Sequence, residues 1–251
     1  EYLKALKDNN FPFLRFDDFL ANPEGYNHFC LIRHDVDRIP QRALNMARLE
    51  ADMNIPATYY FRIKPHTLKK NIICEIHSLG HEIGYHYECL SDTDGDISKA
   101  VKIFKKELDD LRKIVPIKTV SMHGRPLKPY DNRDIWRIEK NHQKLTREYG
   151  ILGEIYLDID YTNIAYVNDT GRNWQSGKAN IRDKVISDAE ADFKDCDSLL
   201  QYLNNFPHHK IVFQVHPERW TDSKLEWLLQ AVKDDLINMA KLVYSRLKAS
   251  K

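Results

Sequence analysis

The feature that most constrains the fold of this chain is a repeated alternation of strand-like and helix-like segments. The strand-like segments are rich in β-branched and aromatic residues, whereas the helix-like segments carry apolar residues three and four positions apart. The predicted strands cover 29–37, 57–63, 81–86, 119–123 and 211–216, with weaker candidates at 151–159 and 164–167. Strands separated by helical crossovers predict an α/β fold built on a parallel sheet.

Predicted helices fill the intervals between these strands. One begins at residue 40, and the others cover 68–79, 98–114, 133–149, 198–205 and 223–247. A further short helix at 2–7 precedes an irregular segment at 11–19. A chain of 251 residues is within the ordinary size of one α/β barrel. We therefore predict a single domain over residues 1–251, in which residues 1–28 form an N-terminal extension that packs on the barrel.

Charge and hydropathy argue against nucleic-acid binding and against a transmembrane segment. The chain has 38 Lys and Arg against 37 Asp and Glu, and a net charge of +1 provides no field to attract nucleic acid. It contains no run of about 18 or more apolar residues, so we predict no transmembrane segment. Specific sites must therefore carry the function, and the sequence does not determine an oligomeric state.

The four cysteines are scattered and show no C-x-x-C spacing, which argues against a zinc ribbon or a disulfide framework. We interpret them as free thiols and expect a cytoplasmic protein. The first residue is Glu1 rather than Met, which suggests a trimmed chain and leaves a removed leader open.

The opening strand, FCLIRHDVD at 29–37, ends in two carboxylates. Because side chains alternate across a strand, Arg33, Asp35 and Asp37 share one face and His34 points to the other, where we expect a structural role. Two acids at the end of a buried strand indicate a nearby cation, usually a metal, that offsets their repulsion. The alternative is an ion network with Arg33 and Arg38.

Histidines end three further strands, at His86, His123 and His216. In a β/α barrel the C-terminal ends of the strands meet at one rim, where the chemistry takes place. We therefore expect these histidines to meet the two carboxylates there. Each of them also has a simpler interpretation, as a core histidine or as a strand-end histidine that is bonded to the backbone.

The segments RHDVD, PATYYF, GHEIGYH and QVHP occur in this order, with a Pro-containing loop before the last. In order and spacing this resembles the polysaccharide deacetylase superfamily, the carbohydrate esterase family 4-like proteins with a NodB homology domain, over roughly residues 30–217. The resemblance implies a distorted or incomplete (β/α) TIM-like barrel and a divalent metal. It also implies hydrolysis of an N-acetyl group of an amino sugar in polysaccharide biosynthesis or modification.

The resemblance also implies roles for single residues in the first two motifs. Asp35 would be the general base and Asp37 a metal ligand, although the order within this pair stays open. The second motif has two histidines one helical turn apart, and the first of them corresponds to His86. The second falls on Leu90, so one expected ligand is missing from this chain.

Two residues are candidates for the missing ligand. His123 ends the neighbouring strand, and Glu88 lies two residues beyond His86; we favour His123, because one Asp with two His is an ordinary catalytic set for zinc. Glu88 is the second choice and otherwise a substrate-binding residue. His81 is rejected, because a rise of about 3.3 Å per residue puts it near the opposite end of its strand.

The remaining motifs imply catalytic and substrate-binding residues. The third motif is an Arg-Pro loop, and the sequence Arg125-Pro126 resembles it. Arg125 would orient Asp35 by a bidentate contact. The fourth contains an Asp and a Trp, similar to Asp169 and Trp174. The fifth supplies a strand-end His, here His216, as the general acid.

A sugar platform at Trp174, beside Arg172, would complete the substrate site, although plain packing of this ring is the alternative. The hypothesis is thus a zinc-dependent N-acetyl hydrolase with a carbohydrate substrate. Because Leu90 replaces a ligand, a non-catalytic carbohydrate-binding relative stays open. A metal-dependent hydrolase of another amide or ester is the third possibility.

Overall fold

The computed structural model of the protein describes residues 1–125, 127–170, 174, 182–189, 191–206 and 209–249. The strands are β1 (Phe13–Leu14), β2 (Phe29–Val36), β3 (Thr58–Phe61), β4 (Glu82–Tyr87), β5 (Thr119–Met122), β6 (Gly153–Glu154), β7 (Ala165–Asn168) and β8 (Lys210–Val215). The α-helices are α1 (Tyr2–Asp8), α2 (Phe16–Ala21), α3 (Pro40–Asp52), α4 (Lys70–Ser78), α5 (Cys89–Asp92), α6 (Ile97–Arg112), α7 (Glu139–Gln143), α8 (Cys196–Asn204) and α9 (Lys224–Ala249).

The strands form one sheet in the order β6-β5-β4-β3-β2-β8-β7, and β1 pairs with β2 beside this path. Every strand pair is parallel. The predicted α/β fold with a parallel sheet is confirmed. Strand β2 lies near the middle of the order, and all eight of its residues are buried.

The sheet curls into an incomplete barrel. Arg33 of β2 donates from Nη2 to Ser121 Oγ of β5 at 2.8 Å, although strands three places apart in a flat sheet lie about 14 Å from each other. The two edges also approach, since the hydroxyl oxygens of Tyr156, after β6, and Tyr166, in β7, are 3.5 Å apart. Among the described residues the edge strands β6 and β7 do not pair with each other, so the barrel is not closed. The predicted incomplete TIM-like barrel is confirmed.

Alternation along β2 separates an interior face from an exterior face. Arg33 and Asp35 point into the barrel, where the Arg33 guanidinium lies 4.6 Å from the ring centroid of Tyr156. His34 points outward, and its Nε2 is 2.7 Å from Glu50 Oε1 on α3. The expected structural role of His34 agrees with this contact.

Two segments differ from the sequence-based prediction. The helix predicted over 133–149 is broken into a 3₁₀ turn (Asn132–Ile135), α7 and a π turn (Lys144–Glu148). Asn132 is buried and donates to the carbonyl of His123 at 2.8 Å, and Trp136 donates to the Tyr87 hydroxyl at 3.0 Å. These tertiary anchors hold the segment against the rim and override its helical periodicity.

The segment at 11–19 was predicted to be irregular, which is wrong, because it contains β1 and the first residues of α2. Phe16 is fully buried, and its backbone N–H donates to Thr58 Oγ1 at 3.0 Å. Burial of this ring ties the segment to the bottom of the barrel and so orders it.

Helix α9 packs on the barrel through polar side chains. Gln230 and Asp234 are buried, and Asp234 approaches Arg38 at 3.6 Å and Arg219 at 3.7 Å. Apolar side chains on the opposite face, including Leu229, are more than half exposed. None of the helices in the described part of the chain combines the length and apolar character needed to span a membrane.

Candidate metal centre

Three potential metal ligands meet at the C-terminal rim of the barrel. Asp37 follows β2, His86 lies in β4 and His123 follows β5. Asp37 Oδ1 is 3.5 Å from His86 Nε2 and 3.6 Å from His123 Nε2, and the three ligand atoms all lie within 4.8 Å of one another. Parallel strands bring these side chains together, because all their C-terminal ends point to the same rim.

Hydrogen bonds at Nδ1 orient both histidines. His86 Nδ1 donates to the carbonyl oxygen of Ser121 at 3.0 Å, and His123 Nδ1 donates to Glu88 Oε2 at 2.8 Å. Burial lowers the pKa of His86 and outweighs the opposite effect of Asp35 and Asp37, so its imidazole is neutral at pH 7. In the neutral form of each ring, a proton on Nδ1 leaves a lone pair on Nε2, the atom that faces Asp37.

The donor set fits a divalent cation. Asp37 Oδ1 is buried and has no hydrogen-bond partner among the described residues. One anionic oxygen thus faces two nitrogen lone pairs, an arrangement of mutually repelling acceptors that a cation stabilises. Tetrahedral zinc, with bonds of about 2.0–2.2 Å, holds its ligand atoms about 3.4 Å apart, close to the distances from Asp37 to the two imidazoles.

Glu88 supports His123 rather than facing Asp37. Its carboxylate accepts from His123 and also forms an ion pair with Arg62 at 2.6 Å. Burial by itself would raise the pKa of Glu88, but the hydrogen bond from His123 and the charge of Arg62 lower it well below its usual range. Carboxylate support of this kind fixes the tautomer of a histidine ligand and raises its basicity.

We expect Glu88→Gln to weaken zinc binding about 10–100-fold, because Gln accepts the same hydrogen bond without the negative charge. Zinc affinity can be measured by competition with a chelating dye. Glu75→Gln, at an exposed ion pair with Arg48, is a matched control that should leave the affinity unchanged. Parent-like zinc affinity in Glu88→Gln would show that this carboxylate does not support the ligand.

Asp35 lies beside the three candidate ligands, with Oδ2 at 3.7 Å from His86 Nε2. Arg33 Nη2 donates to both of its oxygens at 2.6 and 2.8 Å, and Gln214 Nε2 donates to Oδ2 at 2.6 Å. Burial alone would raise the pKa of Asp35, but the guanidinium of Arg33 and the nearby histidines hold it well below its usual range.

The prediction that Arg125 orients Asp35 is therefore wrong in this structure. Arg125 follows β5 and donates from Nη1 to Glu88 at 3.2 Å. Arg33 holds Asp35 instead, because both side chains project from the same face of β2 into the barrel. The shared face was visible in the sequence, but the direct contact depends on how the interior is packed.

His216, which follows β8, forms a pair with Asp169, which follows β7. Its Nδ1 donates to Asp169 Oδ1 at 2.6 Å, and Arg219 and Trp220 also donate to this carboxylate at 2.9 and 3.0 Å. Burial and the Arg219 charge would lower the pKa of His216, but Asp169 outweighs both and raises it to about 9. Asp169 thus positions His216 and raises its pKa, and its predicted contact with substrate stays a prediction.

Three further predicted positions have different outcomes. Trp174 is buried, and its ring packs 5.7 Å from Phe213 and 5.9 Å from Trp220, so it is a packing residue here rather than an open sugar platform. Leu90 belongs to the apolar core, as its side-chain type requires. Arg172 lies outside the described residues.

Two residues that contact Asp35 were not assigned to the site from the sequence: Arg33 appeared only in the alternative ion network, and Gln214 did not appear. The signal for Arg33 was its position two residues before Asp35 on one strand face. Gln214 gave no comparable signal, since its contact with Asp35 requires β8 to pair directly with β2.

No family model matches the chain, and no curated protein matches its sequence. Among solved structures, a CE4 esterase from Streptococcus mutans has a TM-score of 0.48 and 14% identity over 86% of this chain and 85% of that one. A family 4 carbohydrate esterase from Bacillus anthracis has a TM-score of 0.41 and 13% identity over 95% of this chain and 86% of that one. A CE4 family pseudoenzyme from Bacillus anthracis has a TM-score of 0.41 and 11% identity over 83% of this chain and 60% of that one. At these identities the similarities assign no role to any residue of this chain.

Proposed function

We propose that the chain is a metal-dependent hydrolase of the polysaccharide deacetylase type, which removes an N-acetyl group from an amino sugar. The single observation that carries this proposal is the meeting of two kinds of group at one rim. Asp37, His86 and His123 present a donor set for a divalent metal, with Asp35 in contact with His86. His216, which is charged at neutral pH, ends a strand that pairs with the strand carrying Asp35.

We propose zinc as the metal, held by Asp37, His86 and His123. When bound, the ion supplies a Lewis acid for the acetamide carbonyl oxygen and for water. His86 and His123 hold their Nε2 atoms toward this position through the hydrogen bonds at Nδ1. Their support rests on Ser121 and Glu88, which keep both rings in the tautomer that a ligand needs.

Asp35 is the proposed general base and His216 the proposed general acid. Asp35 remains ionised because of Arg33, so it can accept the proton of the attacking water. His216, protonated at neutral pH through its bond to Asp169, can donate a proton from Nε2 to the leaving amine. The two carboxylates therefore have different tasks, which follow from their different partners.

One observation favours a second candidate function, carbohydrate binding without turnover. Both oxygens of Asp35 accept hydrogen bonds, and its pKa is lowered, which weakens a carboxylate as a base. The proposed deacetylase differs from this candidate in turnover. Binding of an acetamido sugar without acetate release would therefore support the second function.

The test of the proposed function is acetate release from acetamido sugars by the zinc-loaded chain. We expect turnover that is lost on treatment with a chelator and recovered when zinc is restored. Cyclic amides and phosphoesters, assayed in parallel, test the broader hydrolase class. Turnover that is unaffected by chelation, or confined to the other substrate classes, would contradict the proposal.

The pair of Asp169 and His216 predicts the alkaline limb of the pH profile. A general acid must be protonated, so kcat/KM should fall as the pH rises through the His216 pKa, which is about 9. Asp169→Asn removes the charge that raises this pKa, and the limb should move to lower pH by about one unit or more. Asp160→Asn, on an exposed turn, is the control, and an unshifted limb in Asp169→Asn would exclude His216 as the acid.

We further propose that residues 1–251 form one catalytic domain with a carbohydrate as its partner. A cytoplasmic location remains part of the proposal, and it agrees with the four free cysteines.

A further inference from the structure

Three cationic side chains converge on Glu88 beside the candidate metal centre. Arg62 Nη2 and Lys64 Nζ lie 2.6 and 2.8 Å from Glu88 Oε1, and Arg125 Nη1 lies 3.2 Å from Oε2. We call Arg62, Lys64 and Arg125 the rim cluster. They come from the segments after β3 and β5 and contact the carboxylate that follows β4.

The charges of this region are arranged in two layers. The Glu88 side chain is 3% exposed, whereas those of Arg62, Lys64 and Arg125 are 12, 25 and 33% exposed. Glu88 therefore lies at the bottom, and the cations lie nearer the solvent together with Asp92, whose side chain is 24% exposed. A molecule that approaches from solvent meets the positive charges before it meets Glu88.

The acids do not balance the cations. Asp92 is the second acid in contact with the rim cluster, 2.8 Å from Lys64 Nζ and 3.8 Å from Arg125 Nη1. Asp37 is a third acid near Arg62, but its carboxylate faces the proposed metal position. Glu88 also accepts the hydrogen bond from His123, so three permanent cations share two carboxylates, one of which has a further donor. Fixing one buried carboxylate requires fewer cations than this, and exposed ion pairs add little stability.

The backbone of Arg125 is strained in a way that holds its side chain at this position. Its φ angle is +34°, in the left-handed region that residues other than glycine rarely adopt. Arg182 Nη1 donates to the carbonyl of Arg125 at 2.7 Å and so helps to hold this conformation. Strain of this kind persists where the surroundings enforce it, and it concentrates at binding sites.

The rim cluster is adjacent to the proposed reaction site. Arg62 Nη1 contacts the carbonyl of Asp37 at 3.4 Å, and Glu88 links the cluster to His123. His216 and Asp169 follow β8 and β7, on the other side of β2 from β3, β4 and β5. A substrate with its leaving amine near His216 can therefore extend another group toward the rim cluster.

We propose that the rim cluster binds an anionic group, a phosphate or a carboxylate, carried by the acetamido substrate. This inference rests on the proposed function and specifies its substrate as an anionic acetamido sugar. Arg matches the paired oxygens of phosphate and carboxylate, and Lys adds a point charge. The anion completes the charge balance that Glu88 and Asp92 leave open.

The test compares three probes on the zinc-loaded chain: N-acetylglucosamine, its 1-phosphate and the corresponding uronic acid. We expect one anionic probe to bind at least about tenfold more tightly than the neutral sugar by calorimetry, with an advantage that falls as salt is added. The phosphate and carboxylate arms identify which anion the site prefers. Equal affinity for all three probes would overturn the proposal.

Lys64→Met tests whether the rim cluster or the metal binds the anion, because Met keeps the apolar stem of the lysine and removes its charge. The anionic preference should fall about fivefold or more, with zinc content unchanged. Lys99→Met, at an exposed position of α6, is the matched control and should keep the full preference. A preference that survives in both Lys64→Met and Arg125→Gln would mean that the metal alone binds the anion, and would overturn the proposal.

Binding and turnover distinguish this inference from the function on which it rests. Anionic preference that depends on Lys64 but occurs without acetate release supports the rim cluster and contradicts the hydrolase. Acetate release that is equally efficient from neutral and anionic probes supports the hydrolase and contradicts the rim cluster.

Discussion

Asp37→Asn is expected to abolish stable zinc binding and to reduce acetate release about 10³-fold, because metal polarisation supplies several kcal/mol of transition-state stabilisation. Asp37 lies near both His86 and His123, and it is the only one of these three candidate ligands that carries a negative charge. An amide retains the shape of the side chain but provides neither the charge nor the same affinity for a divalent cation. Zinc content after gel filtration and acetate release measure the two effects.

Asp109→Asn provides the control for this substitution, since Asp109 forms an exposed ion pair with Lys105 on α6. The control should retain both zinc and activity. If Asp37→Asn kept one zinc ion per chain with parental affinity, the assignment of Asp37 as a ligand would be wrong. Loss of zinc with full activity would instead contradict metal dependence.

Asp35→Asn is expected to lower kcat about 10²–10⁴-fold while zinc content stays at the parental level, because it removes a general base and no proposed ligand. It should also lower the free energy of unfolding by about 3–5 kcal/mol, since it leaves the Arg33 guanidinium buried without its counter-charge. Arg33 is fully buried and contacts Asp35 at 2.6 Å. Acetate release, zinc content and urea denaturation provide the three measurements.

The double variant Arg33→Met/Asp35→Asn separates the catalytic effect from the stability effect. Removing both charges should recover most of the lost stability, since an apolar side chain of similar length suits the tyrosine-lined interior. Activity should remain low, because the base is still absent. Recovery of activity together with stability would mean that Asp35 acts only through folding.

The sequence anticipated the ligand candidates because they depend on local rules. Period-two alternation put Asp35 and Asp37 on one strand face, and parallel strands deliver the side chains at their C-terminal ends to one rim. His86 and His123 could therefore be predicted as neighbours of Asp37 without knowledge of the full strand order. Their roles as ligands remain a prediction that the zinc measurements test.

The partners of these groups could not be predicted in the same way. Arg33 rather than Arg125 is the partner of Asp35, because packing in the barrel interior directs the guanidinium along its own strand toward the C-terminal rim. Asp169 meets His216 because β7 pairs with β8, which requires the crossover between them to return to the same edge. Gln214 reaches Asp35 only because β8 also pairs with β2.

The sequence by itself determined the α/β class, the parallel sheet and the two-acid face of β2, since hydrophobic periodicity and alternation act over a few residues. The tertiary structure alone decided that Glu88 supports His123, that Asp169 raises the His216 pKa, and that Trp174 is buried. These outcomes depend on strand order and on the curl of the sheet, which bring together residues far apart in the chain. A buried charge takes the partner that packing places beside it, and no local pattern records that partner.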